Sequence, residues 1–262
     1  MARADTFEAR EPERVSTDAL SATDDAPGQD LPGPDAADLA AAALSMARRF
    51  ASGATLWCAA PSWPWHARHV AAEFVQPVQP GERPLPAVTV PDGPLWESLR
   101  PLARAGDMLL VVSRTDDPSV AGLRQRSRAW GVLTVWIGAG PRPEPGSADY
   151  VLWVEGDETV ASCGGHFALL FHLLSELTYV CLERPDLLAP EPVLCGDEVC
   201  ITCSDEGRLG EVVAIGADGC AQVRTPAGLE TVDTSLIESA RPGDLVLIHA
   251  GAALTLVEGA PR

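Results

Sequence analysis

Positive charge is scarce in this sequence. None of its 262 residues is a lysine, and 19 arginines stand against 37 Asp and Glu, giving a formal net charge of −18 and a pI near 4.5. A chain this acidic repels phosphate backbones and anionic lipid surfaces, so neither nucleic acid nor membrane is an expected partner. No apolar run is long enough to span a bilayer, and the opening MARADTFEAREPER lacks the hydrophobic stretch of a secretory signal. A cytoplasmic location is therefore expected. Nor is there a disulfide framework: the seven cysteines are odd in number and not spread over a small domain. A reducing compartment would leave them as thiols, for burial or for metal.

What is present suffices for two domains, since 46% of the residues are hydrophobic. Residues 1–35 do not contribute. They carry nine acidic and three basic residues and one aromatic, Phe7, too little apolar surface to offset the entropy of ordering, and read as a disordered acidic tail. From Asp35 the pattern becomes helical in AADLAAAALSMARRFASG and then alternates. ATLWCAA, LPAVTV, DMLLVVS, LTVWIGA and ADYVLWVEG read as strands; HARHVAAEFV, LWESLRPLARAG and SVAGLRQRSRAWG read as helices, and about 160–182 as a long buried helix. Strands alternating with helices predict a doubly wound α/β domain with a parallel sheet over 36–184. The prolines of RPDLLAPEPV predict a linker at 185–194. Beyond it, DEVCITCS, GRLGEVVAIGADGCAQVRTPAGLETVDTSLI and GDLVLIHAG alternate with glycine-bearing turns, which predicts a small, OB-like β-barrel over 195–262.

His69 and Glu73, four residues apart, share one face of the second predicted helix, so an imidazole and a carboxylate can converge on one ion or one proton. A hydrogen-bonded pair without metal explains the same spacing. His66 is expected at the surface. The tryptophans at 57, 63, 65, 96, 130, 136 and 153 are expected in the core or at an interface.

HVAAEFV at 69–75, GERPLPAVTV at 81–90, AGDMLLVVS at 105–113 and FHLLSELTYVCLE at 171–183 resemble the SIS fold, in its phosphoheptose isomerase branch. The resemblance implies that His69, Glu73 and His172 carry acid/base or metal chemistry, with zinc or another divalent ion as the candidate. Gly164 stands where that family has a glutamine, with His166 and Cys163 nearby as substitutes. The phosphate-binding loops differ from the family's. CAAPSWPWHAR at 58–68 replaces a glycine-rich turn, leaving Ser62 flanked by prolines and tryptophans. Ser113-Arg114-Thr115-Asp116-Asp117 keeps Ser113 and Thr115 as phosphate-loop candidates but adds two carboxylates where an anion would sit. A scaffold that oligomerises, or a ligand or metal pocket put to a new use, is therefore expected over an active isomerase.

The segment Arg241-Pro242-Gly243-Asp244-Leu245-Val246-Leu247-Ile248-His249-Ala250-Gly251 resembles the late motif of the HypC family of [NiFe]-hydrogenase maturation chaperones. Those are small barrels that hold an Fe(CN)2CO unit together with a partner, HypD. The resemblance implies that Cys200 supplies a thiolate and His249 an imidazole, with Cys203 a second candidate; soft iron carrying cyanide and carbon monoxide suits a thiolate. Cys200 is internal here, whereas the family's cysteine follows the initiator Met, and the family's C-terminal helix is not evident in LVEGAPR. Cys195, Cys200 and Cys203 also match the start of a [2Fe–2S] pattern, with Cys220 as a fourth ligand, and the same thiols suit zinc. A core histidine bonded to backbone is the plain alternative for His249, and burial is the plain expectation for Cys58, Cys181 and Cys220.

Together these features predict a non-enzymatic accessory protein of hydrogenase maturation. Its expected partners are a HypD-like protein and a hydrogenase large-subunit precursor, and its expected assembly is a homodimer or homotetramer, from the SIS resemblance. The alternatives are a sugar-phosphate isomerase-like enzyme using His69, Glu73 and His172, and a metabolite-sensing module.

Overall fold

The computed structural model describes residues 36–77, 81–157, 159, 165–189, 207–216 and 219–257. The expected acidic tail lies outside these residues, as do Cys163, Gly164, Cys195, Cys200 and Cys203.

Helix α1 (Ala36–Ala51) turns Ala42, Ala43, Met46 and Ala47 inward, and the three alanines let it lie close to its neighbours. Strands β1 (Leu56–Ala59), β2 (Ala87–Thr89), β3 (Met108–Val112), β4 (Leu133–Ala139) and β5 (Tyr150–Val154) form a parallel sheet in the order β2-β1-β3-β4-β5. All five residues of the central β3 are buried, which explains its unbroken apolar run: helices cover both of its faces. On one face α1, α2 (Trp65–Val75) and α5 (His166–Leu182) pack around Phe50, Phe74, Phe167 and Phe171. On the other, α3 (Leu95–Leu99) and α4 (Leu123–Trp130) pack around Trp96, Trp130, Trp136 and Trp153. The doubly wound expectation holds, with the strand order reversing between β1 and β3.

Local differences from the sequence reading have local causes. The helix expected over 95–106 ends at Leu99, because Pro101 has no N–H to continue it and its ring restricts Arg100. The helix expected over 119–131 is split into a 3₁₀ turn at Pro118–Val120 and α4, with Gly122 between them at φ 67°, a left-handed conformation that interrupts the helix. Within the expected linker, Pro185–Leu188 form a helical turn, α6; Pro185 sits in its first turn, where a missing N–H costs nothing. The long helix α5 is not buried all round, since Leu169, Leu173 and Val180 are exposed. Among the tryptophans, Trp65 lies outside the core at 59% exposed.

The second half closes into a barrel of β6 (Arg208–Ile215), β7 (Cys220–Thr225), β8 (Gly228–Asp233), β9 (Leu245–His249) and β10 (Ala252–Leu256), in the order β10-β8-β7-β6-β9. Val212, Val223, Val232, Val246 and Ile248 fill it. The strand β10 falls in the stretch where the sequence reading found no element.

The barrel shares core with the α/β layer, and the described residues of both form one compact unit. Leu245 belongs to the same apolar cluster as Trp96 and Trp130, with Leu209 and Val257 packed against it. At this seam the Glu211 carboxylate accepts from Arg100 Nε at 2.7 Å and pairs with Arg126 Nη1 at 3.1 Å, and Trp130 Nε1 donates to its second oxygen. The Arg126 guanidinium also donates to the carbonyl of Gly243, at 3.3 and 3.4 Å. Arg224 stacks over Trp130, 4.3 Å from the ring centroid, and donates to the carbonyls of Arg100 and Ala103. Charges this deeply buried persist only when paired and hydrogen-bonded, and these are.

Candidate functional site

The first site lies where α2 meets α5. One turn of helix separates His69 from Glu73, so both side chains leave α2 on the same side, and His172 reaches them from α5. Glu73 Oε1 lies 3.0 Å from His69 Nε2, and Glu73 Oε2 lies 2.7 Å from His172 Nδ1. One donor atom from each of the three lies within 4.8 Å of the others, close enough to share one metal ion. The carboxylate is 11% exposed and the imidazoles 39% and 49%, so the set is anchored at its acid and open at its histidines. Phe171 packs edge-on against His69 at 5.6 Å and helps hold its ring. Two nitrogens and one oxygen with open access are donor types that a divalent ion such as zinc accepts. His166, the first residue of α5, is not part of this cluster.

His66 is not a surface residue. It is 4% exposed, packed among Trp65, Phe167 and Phe171, and neither ring nitrogen has a hydrogen-bond partner. Its position, one turn before His69, places it on the inward side of the same helix. Burial, aided by the nearby His69, pulls its pKa down to about 4, so the ring is neutral at physiological pH.

The phosphate-loop candidates lie at the carboxyl ends of β1 and β3, at the point where the strand order reverses and ligands usually bind. Here the loops bond to each other. Ser62 Oγ donates to Asp117 at 2.8 Å and accepts from the Arg114 N–H at 3.0 Å. Thr115 Oγ1 donates to the Pro141 carbonyl. Ser113 is buried, and its hydroxyl has no protein partner. Asp117 also accepts from the Ser119 N–H, and Asp116 accepts twice from Arg114, bonds that hold its carboxyl below the usual carboxylate range. Next to this loop is a cavity of about 500 Å³ lined by Thr115, Asp116, Asp117, Gln125, Trp136 and Glu144. Three carboxylates in its wall disfavour an anion.

In the barrel, the segment singled out at 241–251 forms a turn, a strand and a hairpin. Gly243, at φ 92°, donates to the Val212 carbonyl, and the Val212 N–H donates to the Asp244 carbonyl, pinning the turn to β6. Leu245–His249 is β9, and Ala250-Gly251 is the two-residue link to β10, since His249 pairs with Ala252. Both link residues have positive φ, 48° and 80°, as a type I′ hairpin requires. His249 ends β9, half-buried. Arg208, at the start of β6, pairs with Ile248, the residue before it. Cys220 opens β7, also half-buried. Cys58 is buried and Cys181 half-buried, and burial raises both thiols above the usual cysteine range.

No family model matches this chain, and no curated protein matches it. Solved structures are similar in chain trace. A phosphoheptose isomerase from Francisella tularensis aligns at 18% identity with a TM-score of 0.48, covering 58% of this chain and 88% of that one. A phosphoheptose isomerase from Neisseria gonorrhoeae aligns at 18% identity with a TM-score of 0.44, covering 55% and 85%. No helix among the described residues is long and apolar enough to cross a membrane.

Two features escaped the sequence reading. The Arg100–Glu211–Arg126 cluster joins residues about a hundred positions apart, and no local pattern announces it. The burial of His66 could have been read from its neighbours: Trp63, Val70 and Phe74 flank it at helical spacing on a face that continues into the core.

Proposed function

We propose that this protein is an accessory factor of [NiFe]-hydrogenase maturation whose barrel carries or transfers an Fe(CN)2CO-type iron unit as cargo, in exchange with a HypD-like protein and a hydrogenase large-subunit precursor. The observation that carries the reading is the 241–251 segment, whose HypC-like residues build the turn, strand and hairpin that close the barrel and leave His249 at its rim. Supporting it, β6 begins beside that strand, and the cysteine-bearing stretch leads directly into β6 in sequence. Cys203 precedes Gly207 by four residues, a length of chain that spans at most about 14 Å. A thiolate from Cys200, with Cys203 as the second candidate, and the imidazole of His249 are the ligands assigned to the cargo. The α/β layer is assigned the role of a rigid mount, joined to the barrel through the Glu211 cluster.

The test is purification of the native protein with metal analysis and infrared spectroscopy in the cyanide and carbonyl stretching region. Wild type is expected to carry iron with these bands and to lose them in Cys200→Ala. Equal iron and identical bands in that variant would refute the assignment.

A second reading is favoured by one specific observation, the convergence of His69 and His172 on the Glu73 carboxylate. The two imidazoles and the carboxylate fit a divalent ion such as zinc. When bound, such an ion supplies Lewis-acid polarisation of a substrate oxygen, while Glu73 and His172 can hold and move a proton as an isomerase requires. The carboxylates of Asp116 and Asp117 weigh against a sugar phosphate as substrate. Turnover of a sugar phosphate by wild type that disappears in Glu73→Ala would establish this reading; absence of turnover leaves the site as a metal or metabolite sensor attached to the barrel.

A further inference from the structure

The last four carbonyls of an α-helix have no partner within the helix. In α2 two of them, those of Glu73 and Phe74, are taken by hydroxyls of α5. Ser175 Oγ donates to the Glu73 carbonyl at 3.3 Å, and the Tyr179 hydroxyl donates to the Phe74 carbonyl at 2.9 Å. The Leu85 N–H donates to the same Phe74 carbonyl, also at 2.9 Å, which ties the approach to β2 into the same junction. Ser175 and Tyr179 are 4% and 5% exposed, so water does not compete for these bonds. Burial, with Glu82 and Glu176 adding to it, pushes the Tyr179 phenol up to about 12, which keeps it a donor at any physiological pH.

His172, Ser175 and Tyr179 lie at i, i+3 and i+7, on one face of α5. That face therefore grips α2 at both levels: His172 meets the side chain of Glu73, and the two hydroxyls hold the main chain of Glu73 and of the residue after it. A carboxylate shared between two imidazoles is sensitive to such placement, because a displacement of a fraction of an ångström separates ligation from a simple hydrogen bond.

We propose that Ser175 and Tyr179 are positioning residues of the His69–Glu73–His172 site, and that by capping the end of α2 from α5 they set its affinity for a divalent metal. The inference rests on the metal reading of that site. It assigns no chemistry to either hydroxyl, neither of which touches the donor atoms.

The experiment uses the full chain stripped of metal. Zinc affinity is measured by competition with a chromogenic chelator, and the visible spectrum of the cobalt(II) form reports ligand geometry. Tyr179→Phe and Ser175→Ala are each expected to weaken zinc about tenfold, and to shift the cobalt bands, while the chain stays folded. Ser175→Ala alone reads the effect if Tyr179→Phe fails to fold. Variants that bind zinc as tightly as wild type with unchanged cobalt spectra overturn the inference and leave the metal reading intact. A wild type that binds neither ion, or a His172→Ala variant that binds as well as wild type, overturns the metal reading and the inference with it.

Discussion

Arg126 and Glu211 meet as a fully buried ion pair, each side chain 1% exposed, at the seam between the parallel sheet and the barrel. The carboxylate also serves Arg100 and Trp130, and Arg126 also serves the Gly243 carbonyl, so removing either partner strands several buried groups at once. Glu211→Ala is expected to cost about 3–5 kcal/mol, the usual penalty for leaving a buried charge unpaired. Glu211→Gln, which keeps an acceptor for one donor, should cost less. Chemical denaturation gives the size, and hydrogen exchange along β6 and β9 should show the barrel loosening first. A Glu211→Ala variant within about half a kcal/mol of wild type would mean that the apolar contact of Leu245 with Trp96 and Trp130 holds the seam unaided.

His66 predicts a pH dependence with a definite sign. Its folded pKa lies near 4 against a reference of 6.5, so between those values the unfolded chain binds a proton that the folded chain does not. Stability therefore falls as pH drops through this window, by up to about 3 kcal/mol from this group. Denaturation of wild type and His66→Phe at pH 7, 5.5 and 4.5 isolates it, since the carboxylates that also titrate are common to both. The wild type should lose stability relative to the variant on acidification; a constant difference across the series would show that the ring takes up its proton without penalty.

The order of strands and helices was legible because the apolar period switches cleanly along the chain, and β3 was legible as a central strand because all five of its residues are apolar. The His69–Glu73 pair was legible from i, i+4 spacing alone, whereas His172 needed the family resemblance, since nothing local in α5 points at α2. The barrel's seam was not legible. Arg100, Arg126, Arg224 and Glu211 look like ordinary surface charges until the fold brings them together, and a charged residue carries no mark of its future burial. The bonding of the loop at 113–117 was half legible: its two carboxylates signalled a poor anion site, but the bonds from Ser62 to Asp117 and from Arg114 to Ser62 depend on the distance between β1 and β3. The end of α3 at Leu99 was available from Pro101 and was overridden by the helical pattern that continues past it.

Gly138, in β4, is required by contact rather than by conformation. A Cβ there would lie 2.4 Å from the Ser113 carbonyl oxygen and 2.5 Å from the ring of Trp153. The first is main chain of the residue that follows β3 and the second an indole at 1% exposure, packed edge-on against Trp136, so neither can yield easily. Gly138→Ala is expected to destabilise by about 1–3 kcal/mol or more through overpacking. The near-ultraviolet circular dichroism of the two edge-on indoles should change with it. An unaltered spectrum and midpoint would show that the sheet opens at this point at little cost.

The link between β9 and β10 offers the opposite test, a substitution that should stabilise. Ala250 sits at φ 48°, a left-handed conformation that costs an L-residue with a Cβ roughly 1–2 kcal/mol and that asparagine tolerates much better. Asn-Gly is the preferred pair for a two-residue type I′ link, and Gly251 already occupies the second position. Ala250 is exposed, so the larger side chain meets no core. Ala250→Asn should raise stability by about half to one kcal/mol, a few degrees in the melting temperature of a barrel this size. Because His249 immediately precedes the link, the same variant also separates two roles of the 241–251 segment. If iron retention depends on the geometry of the His249 rim, a tighter hairpin should leave it equal or improved while stability rises. Higher stability with lost iron would mean that the strained alanine, and not only the histidine beside it, contributes to the iron binding proposed for the barrel.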